Sequence, residues 1–88
     1  MKPLFVIVHE ELAFSPAVKE EITRIKMEED FILIIGPTGS VPRNIPKNRE
    51  IRVCGAFAEL CVGIVCGSFK NMGYNAEIYK PASQHWYL

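Results

Sequence analysis

Apolar residues fall in short continuous runs along this chain, and polar segments or segments of helical period separate them. Leu4–Val8 and Phe31–Ile35 are unbroken apolar runs rich in β-branched residues. Such runs are typical of strands that are covered on both faces in a parallel sheet. Ile51–Cys54, which ends at Gly55, predicts a third strand, and Asn75–Tyr79 predicts a fourth.

Two helices are predicted between these strands. Ser15 and Pro16 are typical of an N-cap and a first helical position, and the first helix is expected to run to about Glu29. The second is expected from about Leu60 until Gly73 closes it. Apolar residues recur at helical spacing in both segments, at Val18, Ile22 and Ile25 in the first and at Leu60, Ile64, Val65, Phe69 and Met72 in the second.

This order of elements predicts one α/β domain over residues 1–88 with a parallel sheet. If the first and third strands are neighbours, right-handed crossovers give the strand order 2-1-3-4 with one helix on each face, in three layers. Residues 36–50 contain three prolines and two glycines without an apolar period, and they predict a long loop between the second and third strands.

Composition adds a prediction about assembly and excludes some classes of partner. Hydrophobic residues make up 49% of the 88 residues, and a chain this short buries only about 60–65% of its unfolded surface. We therefore expect a homo-oligomer. Ten basic residues balance ten acidic ones and are scattered along the chain, so nucleic-acid binding has no electrostatic support.

The first apolar run is too short for a signal sequence or a membrane span, so no membrane association is expected and the predicted location is the cytoplasm. The odd count of three cysteines, without metal-ligand spacing, fits a reducing compartment. We expect no metal site and no cofactor.

Chemically active side chains follow the first and third predicted strands. In open α/β sheets, ligands bind at the carboxyl ends of the strands, where the winding direction reverses, which is between these two strands. A thiol, an imidazole and several carboxylates are therefore predicted around one crevice. The residues expected there are His9, Glu10, Glu11, Gly55, Glu59 and Cys61.

Cys61 is the candidate nucleophile, because it is placed in the first turn of the second helix. There, free amide N–H groups and the helix dipole stabilise a thiolate and an oxyanion. His9 is the candidate base. The alternatives remain open: Cys61 as a small buried residue, and His9 as a strand-end histidine bonded to the backbone. Cys54 and Cys66 are expected in the core.

The segment 51–62, followed by Gly73, Tyr74 and a strand, resembles the nucleophile segment of the isochorismatase-like cysteine hydrolases, which include nicotinamidases. The resemblance covers about a third of the chain. It implies that Cys61 matches the nucleophile and that the bond between Ala56 and Phe57 matches a cis peptide that helps form an oxyanion hole.

The sequence also departs from this family. His9 stands where the family has its catalytic aspartate, and the stretch that carries the catalytic lysine and the metal ligands is reduced to the loop 36–50. Lys47 is expected at the opposite, amino-terminal edge of the sheet. We therefore expect a non-catalytic remnant that binds a small molecule or a partner at the crevice. The alternative is a minimal cysteine hydrolase that acts on a small amide or ester, with Cys61 as nucleophile and His9 as base.

Overall fold

A computed structural model of the chain describes residues 2–35, 41–42 and 44–86. Its four strands form one parallel sheet in the order β2-β1-β3-β4, as predicted. Along the chain the elements are β1 (Leu4–Val8), a 3-10 turn (Glu10–Leu12), α1 (Pro16–Glu28), β2 (Asp30–Ile34), β3 (Ile51–Ala56), α2 (Cys61–Asn71) and β4 (Ala76–Gln84).

The side chains of β1 divide between two apolar clusters, one on each face of the sheet. Leu4, Val6 and Val8 belong to the cluster beneath α2. Phe5 and Ile7 belong to the cluster beneath α1. All five side chains of β1 are buried, because this central strand is covered on both faces. The predicted three-layer arrangement, with one helix on each face, is confirmed.

The predicted apolar period forms the buried face of α1, but it matches that of α2 only in part. Val65 and Phe69 are buried as predicted, whereas Leu60 and Ile64 are 45% and 55% exposed. Val18, Ile22 and Ile25 are the buried residues of α1. Val62, Val65, Cys66 and Phe69 are those of α2, which ends as the chain turns through Gly73 at a φ of 92°.

Two strands extend beyond their predicted ends. β3 continues to Ala56, and β4 continues to Gln84 instead of ending at Tyr79. Val53 lies opposite Ile78 while Gly55 lies opposite Ser83, so β4 contains a bulge between its two paired parts. Lys80 and Pro81 in this bulge interrupt the apolar pattern, which is why the sequence does not show the second part of the strand.

The loop before β3 covers the α2 side of the sheet near its amino-terminal edge. Val41 and Ile45 pack against the cluster beneath α2. The Lys47 ammonium donates a hydrogen bond to the carbonyl of Met72, at the end of α2, and lies 4.3 Å from the centre of the Tyr74 ring. Lys47 is thus at the amino-terminal edge, as expected. Residues 36–40 of the predicted loop lie outside the described residues.

No helix in the described part of the chain combines the length and the apolar character needed to cross a membrane.

Candidate functional site at the carboxyl edge of the sheet

The carboxyl ends of β1 and β3 are in direct backbone contact. Val8 pairs with Gly55, whose φ is 110°. A Cβ atom at position 55 would lie 2.1 Å from the carbonyl oxygen of Val8 and 2.7 Å from its nitrogen. Only glycine permits this backbone conformation and this approach, so Gly55 sets how closely the segments after β1 and β3 can meet.

His9 follows β1 in a left-handed conformation, with φ 46° and ψ 54°. Its backbone N–H donates to the carbonyl of Ile34 at 2.9 Å, which continues the pairing of β1 with β2. Its ring Nδ1 lies 3.5 Å from a carboxylate oxygen of Glu11 in the 3-10 turn. The imidazole therefore takes its polar partner from its own strand end.

The carboxylate of Glu10 faces α1. Both of its oxygens accept hydrogen bonds from the Lys26 ammonium, each at 3.1 Å. Glu10 and Glu11 also line a surface hollow of about 490 Å³, together with Lys19 and Thr23 of α1. The acidic groups that follow β1 thus lie on the α1 side of the sheet.

Cys61 is the first residue of α2, as the sequence predicts, and its side chain is half-buried. It packs against the apolar cluster beneath α2. The preceding turn is held by the Leu60 N–H, which donates to the Phe57 carbonyl at 2.9 Å, and by the Val62 N–H, which donates to the same carbonyl at 3.2 Å. The thiol therefore occupies a fixed helix start beside the core.

The other two cysteines are core residues, as expected. Cys54 is fully buried and Cys66 is 3% exposed. Burial raises the pKa of the Cys54 thiol to about 12, with a further contribution from the Glu21 carboxylate. Burial also raises the pKa of Cys66. Neither thiol is available as a nucleophile.

The loop between β3 and α2 contacts the residues that follow β4. The peptide bond between Ala56 and Phe57 is cis, as the resemblance implies for this position. The Phe57 ring meets the Trp86 ring edge to face, with centroids 5.0 Å apart. The Ala58 N–H donates to the carbonyl of Gln84 at 2.8 Å.

Glu59 holds the two residues that follow β4, His85 and Trp86. One of its carboxylate oxygens accepts a 2.7 Å hydrogen bond from the backbone N–H of Trp86, and the other is hydrogen-bonded to Nδ1 of His85. The Trp86 N–H first, and the His85 ring to a lesser extent, hold the pKa of Glu59 below its usual value. The carboxylate is thus stabilised in its charged form.

His85 is the site residue that sequence reasoning missed. The sequence places β4 only as far as Tyr79, whereas the observed strand runs to Gln84 and delivers His85 to the carboxyl edge. The sequence signal for His85 was its place shortly after a predicted parallel strand, because residues there lie at the edge of the sheet where ligands bind.

The charged and imidazole side chains described at this edge therefore form two groups. One consists of His9, Glu10 and Glu11 and faces the 3-10 turn and α1. The other consists of Glu59 with His85, beside β4. Among the described residues, no three His, Cys, Asp or Glu side chains are placed to hold a metal ion.

Comparisons with models of known protein families, with curated proteins and with solved structures found no match to this chain. The isochorismatase-like resemblance stays a prediction that rests on the residues of the nucleophile segment.

Proposed function

We propose that this chain is a reduced, non-catalytic domain of the isochorismatase-like type, which binds a small molecule at the carboxyl edge of its sheet. The proposal combines the sequence resemblance around Cys61 with the polar groups that follow β1, β3 and β4. Ligand binding at this edge is the general behaviour of open α/β sheets.

One observation carries the non-catalytic part of this proposal: the two groups of the candidate dyad have other neighbours. His9 pairs with Glu11, and Cys61 packs against the apolar cluster beneath α2. A general base must lie within hydrogen-bond reach of the proton that it removes. The Nδ1 atom of His9 lies beside the Glu11 carboxylate in the 3-10 turn, at 3.5 Å.

A cysteine hydrolase that acts on a small amide or ester is the second candidate function. The position of Cys61 at the first residue of α2 favours it, since the amide groups of a helix start stabilise a thiolate. In this mechanism His9 would take the thiol proton, and the sulfur would attack the substrate carbonyl. The amine or alcohol would leave with that proton, and water would then hydrolyse the resulting thioester to release the acid and restore the thiol.

The alkylation rate of Cys61 distinguishes the two functions. Iodoacetamide labelling would be followed by mass spectrometry between about pH 6 and pH 9 in the parent protein and in His9→Asn. Asparagine is suitable because it tolerates the left-handed backbone of position 9 and is not a base. Cys54 and Cys66 serve as buried internal references.

We expect His9→Asn to change the rate at Cys61 by less than about twofold across this range, because His9 does not activate the thiol. The matched control is Glu20→Ala, an exposed change on α1. A loss of about tenfold or more at neutral pH in His9→Asn, absent from Glu20→Ala, would establish the dyad and overturn the non-catalytic proposal.

A further inference from the structure

A first hollow lies between the start of α1 and the end of β4. It has a volume of about 370 Å³ and is bounded on the helix side by Phe14, Pro16 and Val18. On the strand side, Ser83 and His85 contribute to its wall. Because a cavity of about 150 Å³ holds a benzene ring, this hollow has room for a six-membered ring with a substituent.

A second hollow lies at the same strand end, and Ser83 and His85 line it as well. Its volume is about 420 Å³, and its remaining wall consists of Ala58, Glu59, Ile78 and Lys80. The two hollows are therefore neighbours that share Ser83 and His85 in their linings. We refer to them together as the β4 groove.

The walls of the β4 groove are held by partly buried hydrogen bonds. The side chain of Gln84, 3% exposed, accepts a 2.8 Å bond from the Ser15 N–H, which fixes the start of α1 against β4. The Ser83 hydroxyl donates to the carbonyl of Tyr79 at 2.7 Å across the bulge. A groove with such fixed walls is formed before any ligand arrives, as small-molecule sites usually are.

The charges that line the groove balance one another. Lys80 contributes a positive charge, and Glu59, whose carboxylate is bonded to His85, contributes a negative one. The rest of the lining consists of apolar side chains with a few polar groups. In a lining without net charge, an ionic ligand loses hydration with no net opposite charge to replace it, whereas a hydroxyl can both donate to Glu59 and accept from a neighbouring donor.

We propose that the β4 groove is the ligand site of this domain and that it binds a neutral, ring-sized organic molecule that carries a hydroxyl group. This inference rests on the proposed binding function and moves its centre from the ends of β1 and β3 to the end of β4. The ring contacts the apolar wall formed by Phe14, Pro16 and Val18, and the hydroxyl contacts His85, which lines both hollows and is bonded to Glu59.

The test is an amide chemical-shift titration of the full chain with two matched probes, benzyl alcohol and benzoate. We expect benzyl alcohol to shift amides within residues 14–18, 58–59 and 83–85. Benzoate should bind at least about fivefold more weakly, since its carboxylate loses hydration in a lining that carries no net charge.

Two exposed apolar residues provide matched variants. Phe14 is 53% exposed and lines the groove, whereas Leu12 is 47% exposed and lies outside its lining. Phe14→Ala should weaken benzyl alcohol binding by about fivefold or more through lost apolar contact. Leu12→Ala should leave it unchanged.

Three results would overturn the inference. Benzoate binding as tightly as benzyl alcohol would refute the neutral ligand class. Shifts centred on His9, Gly55 and Cys61 would move the site back to β1 and β3 and leave the proposed function standing. The lack of a response to either probe at the groove would refute the site itself, while the alkylation of Cys61 tests the non-catalytic function independently.

Discussion

Gly55 is the residue on which the geometry of the carboxyl edge depends most directly. It combines a φ of 110° with an approach to Val8 that leaves no room for a side chain. Both properties place the loop that leads to Cys61 directly against the end of β1. A residue with a Cβ atom would have to push these two strand ends apart.

Three glycine-to-alanine variants separate the cost of the positive φ from the cost of the close approach to Val8. Gly55→Ala should lower the free energy of unfolding by about 2–5 kcal/mol, from the positive φ and the clash together. Gly73→Ala, where φ is 92° and nothing lies within 4 Å of the added atom, should cost about 1–2 kcal/mol. Gly67→Ala, within α2 and unobstructed, should stabilise by about 1 kcal/mol.

Urea denaturation of the three variants measures these differences. A loss in Gly55→Ala no larger than that in Gly73→Ala would mean that the ends of β1 and β3 are not in the close contact described.

For single residues, the sequence predicts the place of a side chain in the fold better than it predicts the partner that the side chain contacts. It places Cys61 at the start of α2 and His9 at the end of β1, because helix starts and strand ends have local signals. It does not reveal that His9 pairs with Glu11 or that Glu59 pairs with His85. Those pairings depend on the left-handed backbone of His9 and on the bulge in β4, which are set by tertiary contacts.

At the scale of elements, the segment after β4 is attached to the loop before α2 through Glu59. The Trp86 N–H donates a 2.7 Å hydrogen bond to the Glu59 carboxylate. The Trp86 ring also packs on Phe57 in that loop. The pKa of Glu59 is lowered by this attachment, so the attachment is strongest while the carboxylate is charged.

Acid should therefore release Trp86. A carboxyl with a lowered folded pKa contributes stability that is present above its ordinary value of 4.5 and is lost as the pH falls through the lowered value. Trp86 is the only tryptophan, so its emission reports this contact alone. We expect the Trp86 emission maximum to move to longer wavelength on acidification. In Glu59→Ala, the emission should already be shifted at neutral pH.

Far-UV circular dichroism distinguishes local release from unfolding, and Glu77→Ala, an exposed change on β4, is the control. Unchanged Trp86 emission in Glu59→Ala at neutral pH would show that the carboxylate does not hold the segment.

The elements themselves were predictable where the apolar pattern is continuous. β1 has the predicted bounds, and the start of α1 at Pro16 matches its N-cap signal. The 3-10 turn after β1 and the second half of β4 were not predictable, because a short turn has little periodicity and Pro81 reads as a strand breaker.

For the molecule as a whole, the handedness of the crossovers predicts the strand order. It does not predict how copies of the chain associate. Several large apolar side chains remain exposed, among them Leu33 at 43% on the edge strand β2 and Ile35 at 72% just beyond it. The outer edge of β2 has no partner strand among the described residues. Two such edges can pair antiparallel about a two-fold axis, because the surface is then complementary to itself.

We expect the protein to form a dimer through β2. Sedimentation at micromolar concentration should give about twice the 10.0 kDa mass of the chain. Ile35→Lys should shift the protein towards monomer, and Ile64→Lys, an exposed change on α2, should not. A parent protein that sediments as a 10.0 kDa monomer would contradict the proposed assembly.

The proposed loss of catalysis depends on separate surroundings for His9 and Cys61, and nuclear Overhauser contacts test this most directly. We expect the ring protons of His9 to show cross-peaks with the side chain of Glu11. The β-protons of Cys61 should show cross-peaks with methyl groups of the apolar cluster beneath α2. A strong cross-peak between the His9 ring and the Cys61 β-protons would contradict the account and restore the catalytic dyad.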